Sequence, residues 1–416
     1  MADIFPIGDQ PCRKRRSISR FDEEFISMDI ELIGRSLRDN LLTPIPMCFA
    51  LGIFSKLIHG GIKIPKEFYY AISIYLLMSI GIIGGHELAH EYQAHGVTTI
   101  WKPALMTLLL GCLTPLSAYA VLRYIGKLSI ADAAGIAAHY GSTSAVTFIV
   151  ANDYVGNQNV AVDAYLPTLV TILECPGIAI ALIIGAVGMS MQKRAESNAR
   201  SNGLDDDDEH KGKLWEALHE VLTGQSLMLM VGLLVIGFIS TLVMPADKFQ
   251  VFEQFFYNKN MIFRGALCIF LLEMGLVTGE RLGDLLKVGP FLVAFGIIMP
   301  LIHGFVGCYL GKMAGMSLGG CAVLGAIVSS ASYIAAPPAV RLTLPEANPT
   351  LSMTAALGIT FPFNIAIGIP IYFWMAQMVG APMVAKEAKP PSLMVPAVSK
   401  PAADKAGEAK PVEAKH

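Results

Sequence analysis

Two groups of side-chain hydroxyls lie in stretches that are otherwise small and apolar: Ser142-Thr143-Ser144, and Ser329 and Ser330 with Ser332. A hydroxyl can donate to an oxyanion or offer its oxygen to a hard cation such as sodium. Gly141 stands just before the first group, and Pro337 and Pro338 follow the second. Glycine tolerates a break in a helix, and proline has no N–H with which to continue one. A helix broken inside a membrane exposes N–H groups at the start of its second half and C=O groups at the end of its first. The N–H end attracts an anion and the C=O end a cation. One such cluster alone reads as close helix packing, because small residues let helices approach. Two clusters at matching places read as the substrate site of a secondary transporter.

The places match because the chain repeats itself. SIADAAGIAAHYGSTS (129–144) and SLGGCAVLGAIVSSAS (317–332) look like one segment written twice. YLLMSIGIIGGHELA (75–89) echoes IFLLEMGLVTGERLG (269–283), with Gly81 set against Gly275 and Gly85 against Gly279. Thr114-Pro115-Leu116 echoes Met299-Pro300-Leu301, and Pro176 echoes Pro362, all in the same order.

Ionisable groups inside apolar runs are costly and therefore informative. Glu174, in TILECPGIAIA, is a candidate sodium ligand, with carbonyls freed near Pro176 as further ligands. Its counterpart in the second copy is Thr360, with Asn364 one turn on, both oxygen donors of suitable hardness. Glu273 has no acidic match in the first copy and reads either as coupling-linked or as facing an aqueous cavity. Asp132 and His139 lie in one apolar run; a lone membrane histidine reads first as a hydrogen-bonded packing residue.

A rival chemistry is written in His86-Glu87-Leu88-Ala89-His90. H-E-x-x-H on a helix puts two histidines on one face to hold zinc, with the glutamate as general base of an intramembrane protease. The motif ends its apolar run beside Glu91, and His95 falls one residue short of the place for a third histidine ligand. Its counterpart Glu280-Arg281 carries no metal chemistry. The transporter reading is preferred.

The elements that must hold these groups follow from composition. The chain has 416 residues, 54% hydrophobic and 15% charged, with mean hydropathy +0.54. A soluble domain carries about 25% charged residues; here apolar runs reach the roughly 20 residues that span a bilayer. A net charge of −2 argues against nucleic acid. The seven cysteines show no paired spacing and read as packing residues rather than a disulfide frame or zinc site.

Ten spans are expected, at 42–60, 66–86, 102–125, 129–152, 164–191, 217–243, 260–282, 288–311, 317–342 and 350–379. The expected fold is an all-α membrane protein whose ten transmembrane helices form two inverted five-helix repeats, with broken helices crossing at midplane. An odd number of spans per half turns the second copy over, as alternating access requires. The first repeat occupies 41–191 and the second 216–380, joined by an acidic linker at 192–215 that contains Asp205-Asp206-Asp207-Asp208-Glu209. Residues 1–40 form a basic or amphipathic lead-in with no signal-peptide core, and 381–416 read as a disordered tail. Lys56, Lys63, Arg123, Lys127, Arg281 and Arg341 fall on the linker side, which predicts a cytoplasmic linker.

Longer stretches carry a resemblance. SSASYIAAPPAVRLTLPEANP (329–349), FRGALCIFLLEMG (263–275), LIHGF (301–305) and GITFPFNIAIGIPIYF (358–373) are similar to the SbtA-type sodium-dependent bicarbonate transporter family, over about residues 66–380. The resemblance implies sodium-driven import of bicarbonate across the inner, cytoplasmic membrane, by an elevator-like or rocking motion of one repeat against the other. It places the anion between Gly141, Ser142, Thr143 and Ser144 on one side and Ser329, Ser330 and Ser332 on the other. It puts Glu174 where well-studied members carry an acid. It also implies a homotrimer in membrane lipid and, in some members, restraint by a small PII-like regulatory protein. One departure stands out: well-studied members carry an aspartate shortly after the second serine cluster, where this chain has Tyr333-Ile334. Without that carboxylate, sodium stoichiometry, affinity or substrate is open to change.

Overall fold

The computed structural model describes residues 41–174, 176–200, 215–216, 219, 222–256 and 261–384. The lead-in, most of the acidic linker and the tail from 385 lie outside them. All regular structure among the described residues is helical.

The first half contains α1 (Pro44–Leu57), α2 (Lys66–His95), α3 (Trp101–Ala120), α4 (Ile130–Tyr140), α5 (Ala145–Asn157), α6 (Leu166–Glu174) and α7 (Pro176–Arg200). The second contains α8 (Gln225–Val243), α9 (Ala246–Phe256), α10 (Met261–Leu282), α11 (Leu285–Met313), α12 (Leu318–Val328), α13 (Ala336–Thr343) and α14 (Pro349–Met378). Gly289 bends the start of α11 with φ 77°, a left-handed conformation that costs glycine little.

Among the described residues six stretches are long and apolar enough to cross a membrane by length and composition: Lys66–His95, Trp101–Ile125, Leu166–Gln192, Lys248–Leu282, Gly289–Met313 and Pro349–Met378. Six of the ten expected spans meet that measure, and the other four are divided or short. The fourth is divided into α4 and α5 and the ninth into α12 and α13, while α1 and the apolar part of α8 are short. Large apolar side chains lie exposed along α3 (Leu105, Leu109, Leu113) and α8 (Met228, Val235, Ile239). Hydrocarbon would cover such stripes without cost.

The packing comes in matched pairs. α1 lies against α10 as α2 lies against α8; α4 lies against α7 as α12 lies against α14; α5 meets α12 as α13 meets α4. Glycines permit the first two crossings. A Cβ at Gly275 would strike the Phe49 carbonyl, and one at Gly85 would strike the Leu234 carbonyl. By contact, then, Gly85 is the counterpart of Gly275, one helical turn from the pairing read off the sequence. α3 and α11 meet beside their matched prolines: Ser117 Oγ lies 2.8 Å from His303 Nε2.

Both broken helices are anchored at their starts. Ser129 caps α4 by accepting from Asp132 N–H, and Ser317 caps α12 by accepting from Gly320 N–H. The loop after each break ties down the other. Asp132 accepts from Asn348 N–H at 2.7 Å, and Asp163 accepts from Ser317 N–H at 3.0 Å. Burial raises the Asp163 carboxyl above its ordinary range, and the bonds from Ser317 pull it partly back.

Candidate functional site

The two breaks meet and are stitched together. α4 stops at Tyr140 and α5 restarts at Ala145, so the interruption is residues 141–144; the second runs from 329 to 335. Ser144 N–H donates to Ser330 Oγ at 2.8 Å, and Ser330 Oγ donates to the Ile327 carbonyl at 2.7 Å. Thr143 Oγ1 lies 3.3 Å from both Ser330 Oγ and the Ile327 carbonyl. On the other flank Ser332 N–H donates to the His139 carbonyl at 2.8 Å, while His139 Nδ1 lies 2.6 Å from the Ser332 carbonyl. Thr143 and Ser332 thus each offer a donor to a carbonyl at the end of the other broken helix. Ser329 Oγ donates to the Ala326 carbonyl. The Ser142 hydroxyl is buried without a hydrogen-bond partner. An orphaned buried hydroxyl is expensive and calls for a ligand or water.

Local sequence explains the shape. Gly141 packs backbone to backbone against Gly177, where a Cβ on either residue would strike the other. Ser144 is the N-cap of α5, accepting from Thr147 N–H at 3.3 Å. Pro337 and Pro338 occupy the first turn of α13, where a missing N–H is harmless.

A cavity opens beside the stitched breaks, lined by Thr143, Ser144, Glu174, Ser332 and Tyr333 with Val170 and Met230. The centre of a water-sized sphere has about 20 Å³ of it to occupy, enough for one ordered water or a small ion. The amino end of α5 and the buried carboxylate of Glu174 therefore share one small space, one suited to an anion and the other to a cation.

Thr360 and Asn364 are not among the residues lining this cavity. Thr360 Oγ1 donates to the Gly296 carbonyl at 2.8 Å, which leaves it to accept from the Tyr140 hydroxyl at 2.5 Å. Asn364 donates to the Ser329 carbonyl at 3.2 Å and accepts from the Tyr372 hydroxyl at 2.8 Å. Both lie in the π-helical stretches Thr354–Thr360 and Asn364–Gly368 that flank Pro362, and such wide turns recur at functional sites. Glu273 is half-buried on α10 and does not line the cavity either.

A model of the Na+-dependent bicarbonate transporter superfamily matches residues 44–377. The chain belongs to that superfamily. The match runs from the start of α1 almost to the end of α14, so both breaks, Glu174 and both π-helical stretches fall within it. No curated protein matches the chain. Membership makes this a multi-pass membrane transporter rather than an enzyme, with sodium as the coupling ion.

The protease-like motif of this superfamily member serves packing between helices. His86 Nδ1 lies 2.8 Å from Thr241 Oγ1 on α8, and its ring stacks on Phe249 of α9 at 4.0 Å. Among the described residues no group of three His, Cys, Asp or Glu side chains is placed to hold a metal ion.

Two participants are not evident from the sequence motifs. Gly177 carries a signal in retrospect, because Pro176-Gly177 is a turn-forming pair next to Glu174. Tyr140 carries none; it is set on Thr360 by tertiary packing alone.

Proposed function

We propose that this chain is a sodium-coupled symporter that imports bicarbonate across the cytoplasmic membrane, as two inverted five-helix repeats, 41–191 and 216–380. What carries the reading is the shared cavity: the amino end of α5, with Thr143 and Ser144, stands across a small space from the Glu174 carboxylate. In this reading the anion is held by Ser142, Thr143 and Ser144 with Ser329, Ser330 and Ser332, and Gly141 leaves room for its approach. Sodium binds at Glu174, and Thr360 and Asn364, engaged with their protein partners, brace the crossing from the second half. Anion and cation then enter as a neutral pair, which lowers the cost of taking either out of water. The matched helix pairings support the inverted repeat, because each contact has a partner in the other half. Membership of a Na+-dependent bicarbonate transporter superfamily supports sodium and bicarbonate as the transported pair.

The test is uptake of labelled bicarbonate into proteoliposomes with and without an inward sodium gradient. Uptake that requires sodium is the expected result. Equal uptake without sodium, or none in folded and inserted protein, would overturn the reading.

A further inference from the structure

Two half-buried thiols from opposite halves of the chain stand side by side. Cys48 lies on α1 and Cys268 on α10, and both are free. The Cys268 thiol is within hydrogen-bonding reach of the Cys48 thiol. No spacing in the sequence pairs them; the crossing of the two helices does. α1 and α10 touch at Gly52 and Gly275, where a Cβ on either glycine would strike the backbone of the other helix. Farther along, Lys56 packs on Gly279 and pairs with Glu280, so the helices run alongside one another in the same direction. Gly52 faces the Leu272 carbonyl, and one turn earlier on each helix come Cys48 and Cys268. Helices in backbone contact keep their Cα atoms close over the neighbouring turn. That closeness is what a disulfide needs, with its two Cα atoms about 5.5 Å apart.

Exposure and depth set this pair apart. Cys308 and Cys321 are fully buried, and each thiol is spent on a backbone carbonyl, that of Tyr372 and that of Met316. Cys48 and Cys268 keep part of their surface open. Arg264 stands one turn before Cys268 and pairs with Asp153 of α5 at 2.8 Å, with its side chain 46% exposed. A charge so exposed belongs at the water-facing end of a span. Four residues at about 1.5 Å each put Cys268 about 6 Å in from that level, within reach of a small oxidant. Lys56 and Glu280 mark the far ends of the same two helices. Lys56 falls on the linker side, read above as cytoplasmic, so the thiols lie toward the outer face, where disulfides persist. α10 is also the main packing partner of α1. A covalent bond here would fasten α1 at one end as the Lys56–Glu280 ion pair does at the other.

We infer that Cys48 and Cys268 form an oxidation site, at which a small peroxide joins the two thiols into a disulfide that staples α1 to α10. One sulfur attacks a peroxide oxygen and the O–O bond breaks, leaving a sulfenic acid and one water. The second sulfur then attacks the sulfenic sulfur, the S–S bond forms and the hydroxyl leaves as a second water. The two thiols together lose two electrons, the peroxide gains two, and both thiol protons end in water. The neighbouring thiol is what stops the oxidation at the disulfide, because it captures the sulfenic acid before a second peroxide can. The bond closes a loop that runs from the first helix of one half into the other half, and a loop of that length removes much freedom from the unfolded chain.

The experiment treats the full chain in lipid nanodiscs with hydrogen peroxide, alkylates the remaining thiols after unfolding, and maps the peptides by mass spectrometry. A peptide pair linked through Cys48 and Cys268, and released by a reductant, is expected, with Cys308 and Cys321 still alkylated. Cys48→Ser and Cys268→Ser should each abolish the linked pair. In detergent the linked chain should unfold about 5 °C above the reduced one, and peroxide should raise the midpoint of neither variant. Three results would overturn the site: no linked pair from folded protein, bonding of either cysteine to a second copy of the chain, or oxidation of either thiol to a sulfinic acid in place of the bond. An unmoved midpoint in fully linked protein would overturn the staple. None of these readouts involves uptake, so the site stands or falls apart from the proposed transport.

Discussion

The two hydroxyl-bearing breaks arise from similar sequence but are held differently. The first is a tight turn pressed backbone to backbone onto Gly177. The second is longer, from 329 to 335, and resumes as a helix on Pro337 and Pro338. Their companion spans differ as well. Beside the first break the fifth span brings Glu174, a carboxylate, into the shared cavity. Beside the second, α14 passes through in π-helical turns, and Thr360 and Asn364 spend their polar groups on Tyr140, Gly296, Ser329 and Tyr372. The backbone supplies helix ends in both halves, and among the described residues the charge lining their shared cavity, Glu174, comes from the first. Coupling to a cation is therefore expected to be lopsided, with the first half binding the ion and the second providing a neutral counter-surface.

The comparison can be broken most decisively where the halves touch. Ser142→Ala with Ser330→Ala should abolish sodium-dependent bicarbonate uptake while leaving expression intact. Normal uptake in proteoliposomes would mean that the stitched breaks are packing only. The next largest effect is on stability: Gly177→Ala drives a methyl into the Gly141 carbonyl and should cost about 2 kcal/mol through overpacking. A thermal unfolding series in detergent would read it, and an unchanged midpoint would show that the turn has room to relax.

Glu174→Gln sharpens the electrostatic half of the comparison. Removing the charge should raise the sodium concentration for half-maximal uptake by about tenfold, the worth of a charged hydrogen-bonded contact, with bicarbonate affinity changing less. An unmoved sodium curve would take Glu174 out of the coupling. Thr360→Val probes the neutral half and should shift the same curve by no more than about threefold, since that hydroxyl already serves protein partners. A shift as large as that of Glu174→Gln would make the halves equivalent.

Some of this was legible in the residues. Small apolar segments ending in hydroxyls, with glycine or proline beside them, marked both breaks, because the chemistry of helix interruption is local. The HELAH motif shows the opposite case. Its spacing is equally local, yet His86 is claimed by Thr241 and Phe249 from other helices, which no spacing within one helix reveals. The glycine pairing also slipped by a turn, because small residues recur along α2 and only the carbonyl of Leu234 decides which one is approached.

By itself the sequence determined that the chain is apolar enough for a membrane, where its helices are interrupted and which superfamily it matches, since these depend on hydropathy, backbone chemistry and residue order. The tertiary structure alone decided which hydroxyls are spent and which is left over. It seated Glu174 with Ser144 and Ser332 and turned Thr360 and Asn364 to other partners. Those outcomes depend on how distant helices cross, and a hydrogen bond forms only where both partners arrive within about 3 Å of each other.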